Sequence, residues 1–375
     1  MIACRRRSCR LPPAANPASP PVAVSALPHA SPEPVPAAPD LLLSVEDLAV
    51  GFATEQGEVR AVDGVSFQLR RGRVLALVGE SGCGKSLTSL ALLRLIQPPG
   101  RIAGGRITLH SRRAGRIDIT ALREDEDRIF AVRGGHVSMI FQEPMTALSP
   151  VHRVGGQIVE AIRLHRTATR AEARGLAVDL LRKVGVSAPE RRFSQYAHEL
   201  SGGLRQRVVI ALALASNPEL LIADEPTTAL DVTTQAQILG LIKGLQRDLG
   251  CAVLLITHDL GVVAQMADDV AVMYLGRIVE QGSVRDLLKR PRHPYTQGLL
   301  RSLPSLNPSG RLAPIPGAVP ALSAIPSGCA FHPRCPHAQS GRCDGGAVPA
   351  LRPFGPGRVV ACWRAEEIAA AETPA

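Results

Sequence analysis

The chain has 375 residues, 45% of them hydrophobic, 20% charged and 3% aromatic, with a formal net charge of +10. That length builds a sizeable core in two or three folding units, and no apolar run approaches the roughly 18 residues of a membrane-spanning helix, so the chain is not expected to cross a bilayer by itself. Its arginines are scattered and aromatics for base stacking are scarce, which makes the positive charge a solvated surface; no nucleic-acid partner is expected.

Residues 1–40 are rich in Pro, Ala and Ser and cannot bury a core, so they are expected to be disordered. Their basic start lacks a continuous apolar stretch, which argues against a secretory signal. An unstructured extension, or a start placed too early, accounts for them.

The stretch "VLALVGESGCGKSLTSLALLRLIQPPG" is the most informative. Val74 to Val78 reads as a short buried strand. From Lys85 apolar residues recur at helical spacing until Pro98 and Gly100 stop them. Between strand and helix lie Gly79, Glu80, Ser81, Gly82, Cys83, Gly84, Lys85, Ser86 and Leu87, a phosphate loop in its strand–loop–helix context. Its glycines let successive backbone N–H groups turn toward phosphate oxygens, and the helix N-terminus adds a favourable dipole. Lys85 is placed for the β- and γ-phosphates and the Ser86 hydroxyl for Mg²⁺. Cys83 is a tolerated small residue rather than a nucleophile.

"HVSMIFQEP" gives another strand, ending at Gln142, whose amide is placed for Mg²⁺ or for water. Helical patterns follow in "GGQIVEAIRLH" and "RAEARGLAVDLLRKVGV". In "HELSGGLRQRVVIALALA", Ser201 and two glycines open a helix, so free N–H groups and a hydroxyl can face an anion. "ELLIADEPTTALD" supplies the strand Leu220 to Ala223, capped by Asp224 and Glu225. A carboxylate pair at a strand's carboxyl end suits Mg²⁺ binding by Asp224 and water activation by Glu225. "CAVLLITHDLG" repeats the design: Cys251 to Ile256 form a strand and His258, just beyond it, is placed to donate to the γ-phosphate. Strands separated mostly by helical patterns point to an α/β fold with a largely parallel sheet. "HPYTQGLL" begins an amphipathic helix. Last come Cys329, Cys335, Cys343 and Cys362, spaced C-x5-C-x7-C-x18-C.

Leu200 to Arg207, "LSGGLRQR", resembles the signature motif of ATP-binding cassette (ABC) proteins, and its place between Gln142 and the Asp224/Glu225 pair matches as well. The resemblance runs from about Leu41 to Leu300. It implies a P-loop NTPase fold: a RecA-like, mostly parallel core, an antiparallel β subdomain near the N-terminus, a helical subdomain at about 143–205 and a small C-terminal extension. It divides the chain into an N-terminal extension (1–40), an ATPase domain (41–290) and a cysteine-bearing extension (291–375). It further implies that Phe52 stacks on adenine, and that Ser201, Gly202, Gly203 and Gln206 meet the γ-phosphate of ATP held by an opposing subunit. Ala229-Leu230-Asp231 would link the two sites across the dimer. A groove beside the helical subdomain would receive a short helix of a membrane partner.

The wording of "FQEPMTALSP", "ADEPTTALDVTTQAQI", "AVMYLGRIVEQG" and "HPYTQGLL" closely resembles the ATP-binding subunits of bacterial oligopeptide and dipeptide importers, and nickel importers of the same group share much of it. That resemblance implies a heterodimer with a second ATPase, two membrane permeases and an extracytoplasmic binding protein, at the cytoplasmic face of the inner membrane. Cargo could be a peptide, nickel or another small solute; an ATPase acting on nucleic acid is the non-transport alternative. A cytoplasmic setting disfavours disulfides. Zinc often uses tight C-x2–4-C pairs, which are missing, although His332 or His337 could stand in. Some relatives carry a [4Fe–4S] cluster in this segment, and Pro336 after Cys335 is familiar in such sites. Cluster, zinc and unmetallated thiols all remain open from sequence.

Overall fold

A computed structural model describes residues 40–55, 57–143, 147–228, 230–302 and 314–372. The expectations for residues 1–39 and for Ala229 lie outside the described residues.

Long strands β1 (Leu41–Thr54) and β2 (Gly57–Arg70) pair antiparallel, and β1 also pairs with β4 (Gly100–Ser111), which pairs with β5 (Gly115–Asp118). This four-stranded sheet has the order β2-β1-β4-β5. A second sheet runs β11-β12-β10-β9-β3-β8-β7-β6. Its centre is parallel: β3 (Val74–Val78), β6 (Val137–Ile140), β7 (Leu220–Asp224), β8 (Ala252–Thr257) and β9 (Asp269–Tyr274). Strand β10 (Arg277–Ser283) adds antiparallel to β9, and the short β12 (Val359–Val360) and β11 (Arg352–Pro353) extend that edge. The C-terminal segment is thus hydrogen-bonded into the main sheet.

The continuous apolar runs of the parallel strands follow from burial on both faces. Val74, Ala76, Val78, Leu221, Ala223, Val253 and Leu255 enter one hydrophobic cluster. Leu75, Leu77, Leu220, Ile222, Leu254 and Ile256 enter the other, with Leu43, Val45 and Phe67 of the antiparallel sheet. The first cluster also takes Ile158 and Ile162 of the helix Val154–His165, Ala177 and Leu181 of Arg170–Lys183, and Val208 and Ala211 of Gly202–Leu214. A capping box starts Arg170–Lys183: Thr169 Oγ1 accepts from the Glu172 N–H, and Glu172 accepts from the Thr169 N–H. No helix among the described residues is long and apolar enough to cross a membrane.

The helix after the phosphate loop is shorter than its apolar pattern suggests, running Lys85–Leu92 rather than to Pro98. Arg94 is left-handed (φ 51°), the Leu95 N–H donates to Leu90 O, and the Arg94 N–H donates to Ala91 O. That is a Schellman stop, built here without glycine. Leu93, Leu95 and Ile96 still pack against the second cluster, so the periodicity outlasts the helix.

Candidate functional site

The phosphate loop leaves the carboxyl end of β3 and closes onto the helix Lys85–Leu92. Two glycines there are structurally required. A Cβ on Gly79 would lie 2.2 Å from Met273 O, and one on Gly84, whose φ is +102°, would lie 2.6 Å from Ala61 O. Lys85 Nζ donates to Gly79 O and Glu80 O, both at 2.9 Å, so the ammonium sits within the curl of the loop. Burial pushes the Cys83 thiol up, which keeps it protonated and unreactive. Leu87 packs against the second cluster.

Adjacent strands β7 and β8 bring the acidic pair and His258 to the same sheet edge. Ser86 Oγ donates to Asp224 Oδ1 at 3.2 Å. Burial lifts the Asp224 carboxyl above its usual range, against the pull of Ser86. Hydroxyl, carboxylate and the Gln142 amide are hard oxygen donors, which suit Mg²⁺ with phosphate and water completing its shell.

Glu225 is the hub. Its Oε1 lies 3.0 Å from His258 Nδ1, and its Oε2 accepts from Gln142 Nε2 at 3.1 Å and from Thr228 Oγ1 at 2.9 Å. Burial acts to raise its pKa, but the bonds from His258 and Thr228 outweigh it and hold the carboxyl below the ordinary range. Glu225 is therefore ionised at neutral pH. Its φ of +45° is unusual for a residue with a side chain, and its N–H donates to Ile256 O at 2.9 Å. A left-handed non-glycine residue costs about 1–3 kcal/mol and concentrates where function needs it. Thr228 escaped sequence reasoning, although its place three residues after Glu225, as the second threonine of "DEPTT", was the available signal.

Ser201 caps the helix Gly202–Leu214, accepting from the Leu204 N–H, and both Ser201 and Gly202 are exposed. A Cβ on Gly203 would meet Thr234 Cγ2 at 3.3 Å. Gln206 is 2% exposed and donates to Pro226 O, which ties this helix to the turn after Glu225. Asp231 caps the helix Val232–Leu249 through Thr234. Phe52 stands on β1 opposite Val59 and Gly100, its ring close enough to Gly100 that a Cβ there would be 2.6 Å from Cε1. Lys85, Ser86, Gln142, Asp224, Glu225 and His258 are thus linked in one site, while Phe52 and Ser201 stand on separate elements.

In the C-terminal segment, Cys329, Cys335, Cys343 and Cys362 all line one small cavity with His293 and Phe331. Burial pushes the thiols of Cys329, Cys335 and Cys362 up to about 11, with neighbouring cysteines adding to the shift. None of the four is paired in a disulfide. Number and chemistry fit a thiolate-ligated group; among the described residues, however, no three His, Cys, Asp or Glu side chains are arranged to hold a metal ion.

Comparison with known proteins identifies the family and the fold. The ABC transporter family matches residues 62–228, and the oligopeptide/dipeptide transporter C-terminal region matches residues 279–343. A probable peptide ABC transporter ATP-binding protein of Sinorhizobium fredii is 51% identical over 332 residues, covering 88% of this chain and 96% of the relative. The oligopeptide transport ATP-binding protein of Bacillus subtilis is 53% identical over 300 residues, covering 79% and 82%. Among solved structures, a dimeric ATP-binding cassette bound to ADP and Pi shares the fold at 24% identity, with a TM-score of 0.57 over 65% of this chain and 99% of that one. The cbiO1 subunit of Clostridium perfringens, part of an ABC transporter complex, gives 26% and 0.55 over 67% and 92%. With relatives this similar over 82–96% of their length, the chain belongs to the ATP-binding proteins of ABC transporters, in the group that carries the oligopeptide/dipeptide transporter C-terminal region.

Proposed function

We propose that the chain hydrolyses ATP to power the import of di- and oligopeptides, as one of two nucleotide-binding subunits docked beneath a pair of membrane permeases that an extracytoplasmic binding protein supplies. Its place is then peripheral, on the cytoplasmic face of the membrane. The observation that carries the catalytic reading is Glu225, ionised and held by His258, Gln142 and Thr228 one residue beyond Asp224. The peptide cargo rests on the names of the relatives and on the matching C-terminal region.

In this reading Lys85 turns from the loop carbonyls to the β- and γ-phosphates, and the loop N–H groups bind the phosphate oxygens. Ser86, Asp224 and Gln142 hold Mg²⁺, which when bound neutralises phosphate charge. Glu225 takes a proton from the attacking water, and His258 donates to the γ-phosphate. Phe52 stacks on adenine. Ser201, Gly202 and Gly203 offer N–H groups to ATP held by the opposing subunit, with Gln206 and Asp231 supporting that contact, so closure of the dimer needs nucleotide. The domain limits at residues 40 and 290 and the helical subdomain at about 143–205 belong to the same proposal.

We also propose that the four cysteines ligate a [4Fe–4S] cluster, a reading supported by their convergence on one cavity; such a cluster would supply a redox centre or a covalent clip. Iron and sulfide analysis of anaerobically purified protein tests it, and iron-free protein with unchanged ATP turnover would end it. For the transport reading the test is ATP-dependent uptake of a labelled oligopeptide into liposomes that hold the chain with its permeases, and ATP hydrolysis without any such uptake would overturn it.

A further inference from the structure

Glu80, second in the phosphate loop, pairs its carboxylate with Arg334 of the C-terminal segment. Oε2 accepts from Arg334 Nη1 at 2.8 Å and Oε1 from Arg334 Nη2 at 3.1 Å, a two-pronged ion pair. The Glu80 N–H donates to Tyr295 Oη at 2.9 Å. The N–H and the carboxylate of this loop residue are therefore held by the C-terminal segment, from positions 215 and 254 residues downstream, while its carbonyl oxygen accepts from Lys85 within the loop.

The holding groups are themselves fixed. The Arg334 side chain is only 5% exposed, its Nε donates to Pro316 O at 3.1 Å, and its guanidinium lies over the Tyr274 ring. Tyr295 packs on Tyr274 with ring centroids 4.7 Å apart, and Phe331 completes the cluster, 5.3 Å from each. Burial pushes the Tyr295 hydroxyl up, so it stays neutral and can accept from Glu80. Phe331 and Cys335, which follows Arg334 directly, line the four-cysteine cavity. One short turn, His332–Arg334, thus joins that cavity to the loop.

A charge-assisted, forked pair that is largely out of water is worth more than an ordinary surface ion pair. A phosphate loop binds through N–H groups whose directions depend on where its first residues sit. Fixing Glu80 by both backbone and side chain restricts the loop before nucleotide arrives, and that lowers the ordering cost of binding.

We propose that Arg334 and Tyr295 are positioning residues for ATP: a clamp from the C-terminal segment that holds Glu80 and sets nucleotide affinity without touching the nucleotide. The proposal rests on the assignment of the ATP site above.

The test is Mg²⁺-dependent binding of a non-hydrolysable ATP analogue to the full chain, with KM and kcat for ATP measured alongside. Arg334→Met and Glu80→Gln are each expected to weaken binding about tenfold. The double variant is expected to be no weaker than the worse single, since both remove one clamp. Arg334→Lys keeps the charge without the fork and should recover part of the loss. The losses should fall on KM, with kcat at saturation changed far less, because Glu225 is untouched. Tyr295→Phe keeps the packed ring and removes one oxygen; it should weaken binding about threefold even if Arg334→Met fails to fold. Unchanged affinity in folded Arg334→Met and Tyr295→Phe, or losses that simply add in the double variant, would overturn the clamp. If the unaltered chain itself bound no nucleotide, the ATP-site assignment would fall instead.

Discussion

His258 Nδ1 and Glu225 Oε1 stand 3.0 Å apart at the ends of neighbouring parallel strands. The contact joins the residue proposed to accept the water proton to the residue proposed to meet the γ-phosphate. It also favours the ionised form of Glu225.

Removing that contact should move the acid limb of the rate profile. His258→Ala deletes a bond to the carboxylate, so the Glu225 pKa rises and the acid limb of kcat/KM shifts to higher pH, with Thr228→Ala acting in the same direction. The stability consequence has a fixed sign. With the folded value below the unfolded one, ionised Glu225 stabilises the protein at and above the ordinary carboxylate range. That contribution is lost as pH falls through the lowered folded value. Rate profiles between pH 4 and 8, with melting at matched pH, check both; an acid limb that stays put in both variants would contradict the electrostatic role of His258.

Lys85→Ala should weaken nucleotide binding itself by about tenfold to a hundredfold through lost charge-assisted contacts. Equilibrium titration with a fluorescent ATP analogue measures it. A normal affinity with slow turnover would place Lys85 outside the binding step.

Glu280 anchors the C-terminal segment. It is fully buried, accepts from the Arg292 and His293 N–H groups at 2.9 Å each, and pairs with the buried Arg358. Glu280→Leu leaves Arg358 buried and uncompensated, which should cost about 3–5 kcal/mol in denaturant unfolding. Glu280→Leu with Arg358→Met should recover much of that, and no recovery would show that the pairing is not the cause.

The strand–loop–helix frame of the candidate site was legible in the sequence because a phosphate loop is a contiguous run of backbone, here Gly79 to Ser86, between a strand and a helix. The strand ends at Asp224 and just before His258 were legible for a related reason: two-sided burial makes short unbroken apolar runs easy to delimit. Contacts distant in sequence were not legible. Neither the Arg334–Glu80 pair nor the Glu280–Arg358 pair leaves a local pattern. The bond from Gln206 Nε2 to Pro226 O likewise depends on how two elements pack. The helix end at Leu92 was hidden because Arg94 takes a left-handed turn without the usual glycine.

The most direct measurement compares the unaltered chain with Glu225→Gln, each reconstituted with its permeases in liposomes, following phosphate release and labelled-oligopeptide uptake together. The expected result is that Glu225→Gln still binds ATP while both phosphate release and uptake fall by about a hundredfold or more. Phosphate release and peptide uptake at unaltered rates in Glu225→Gln would contradict the account.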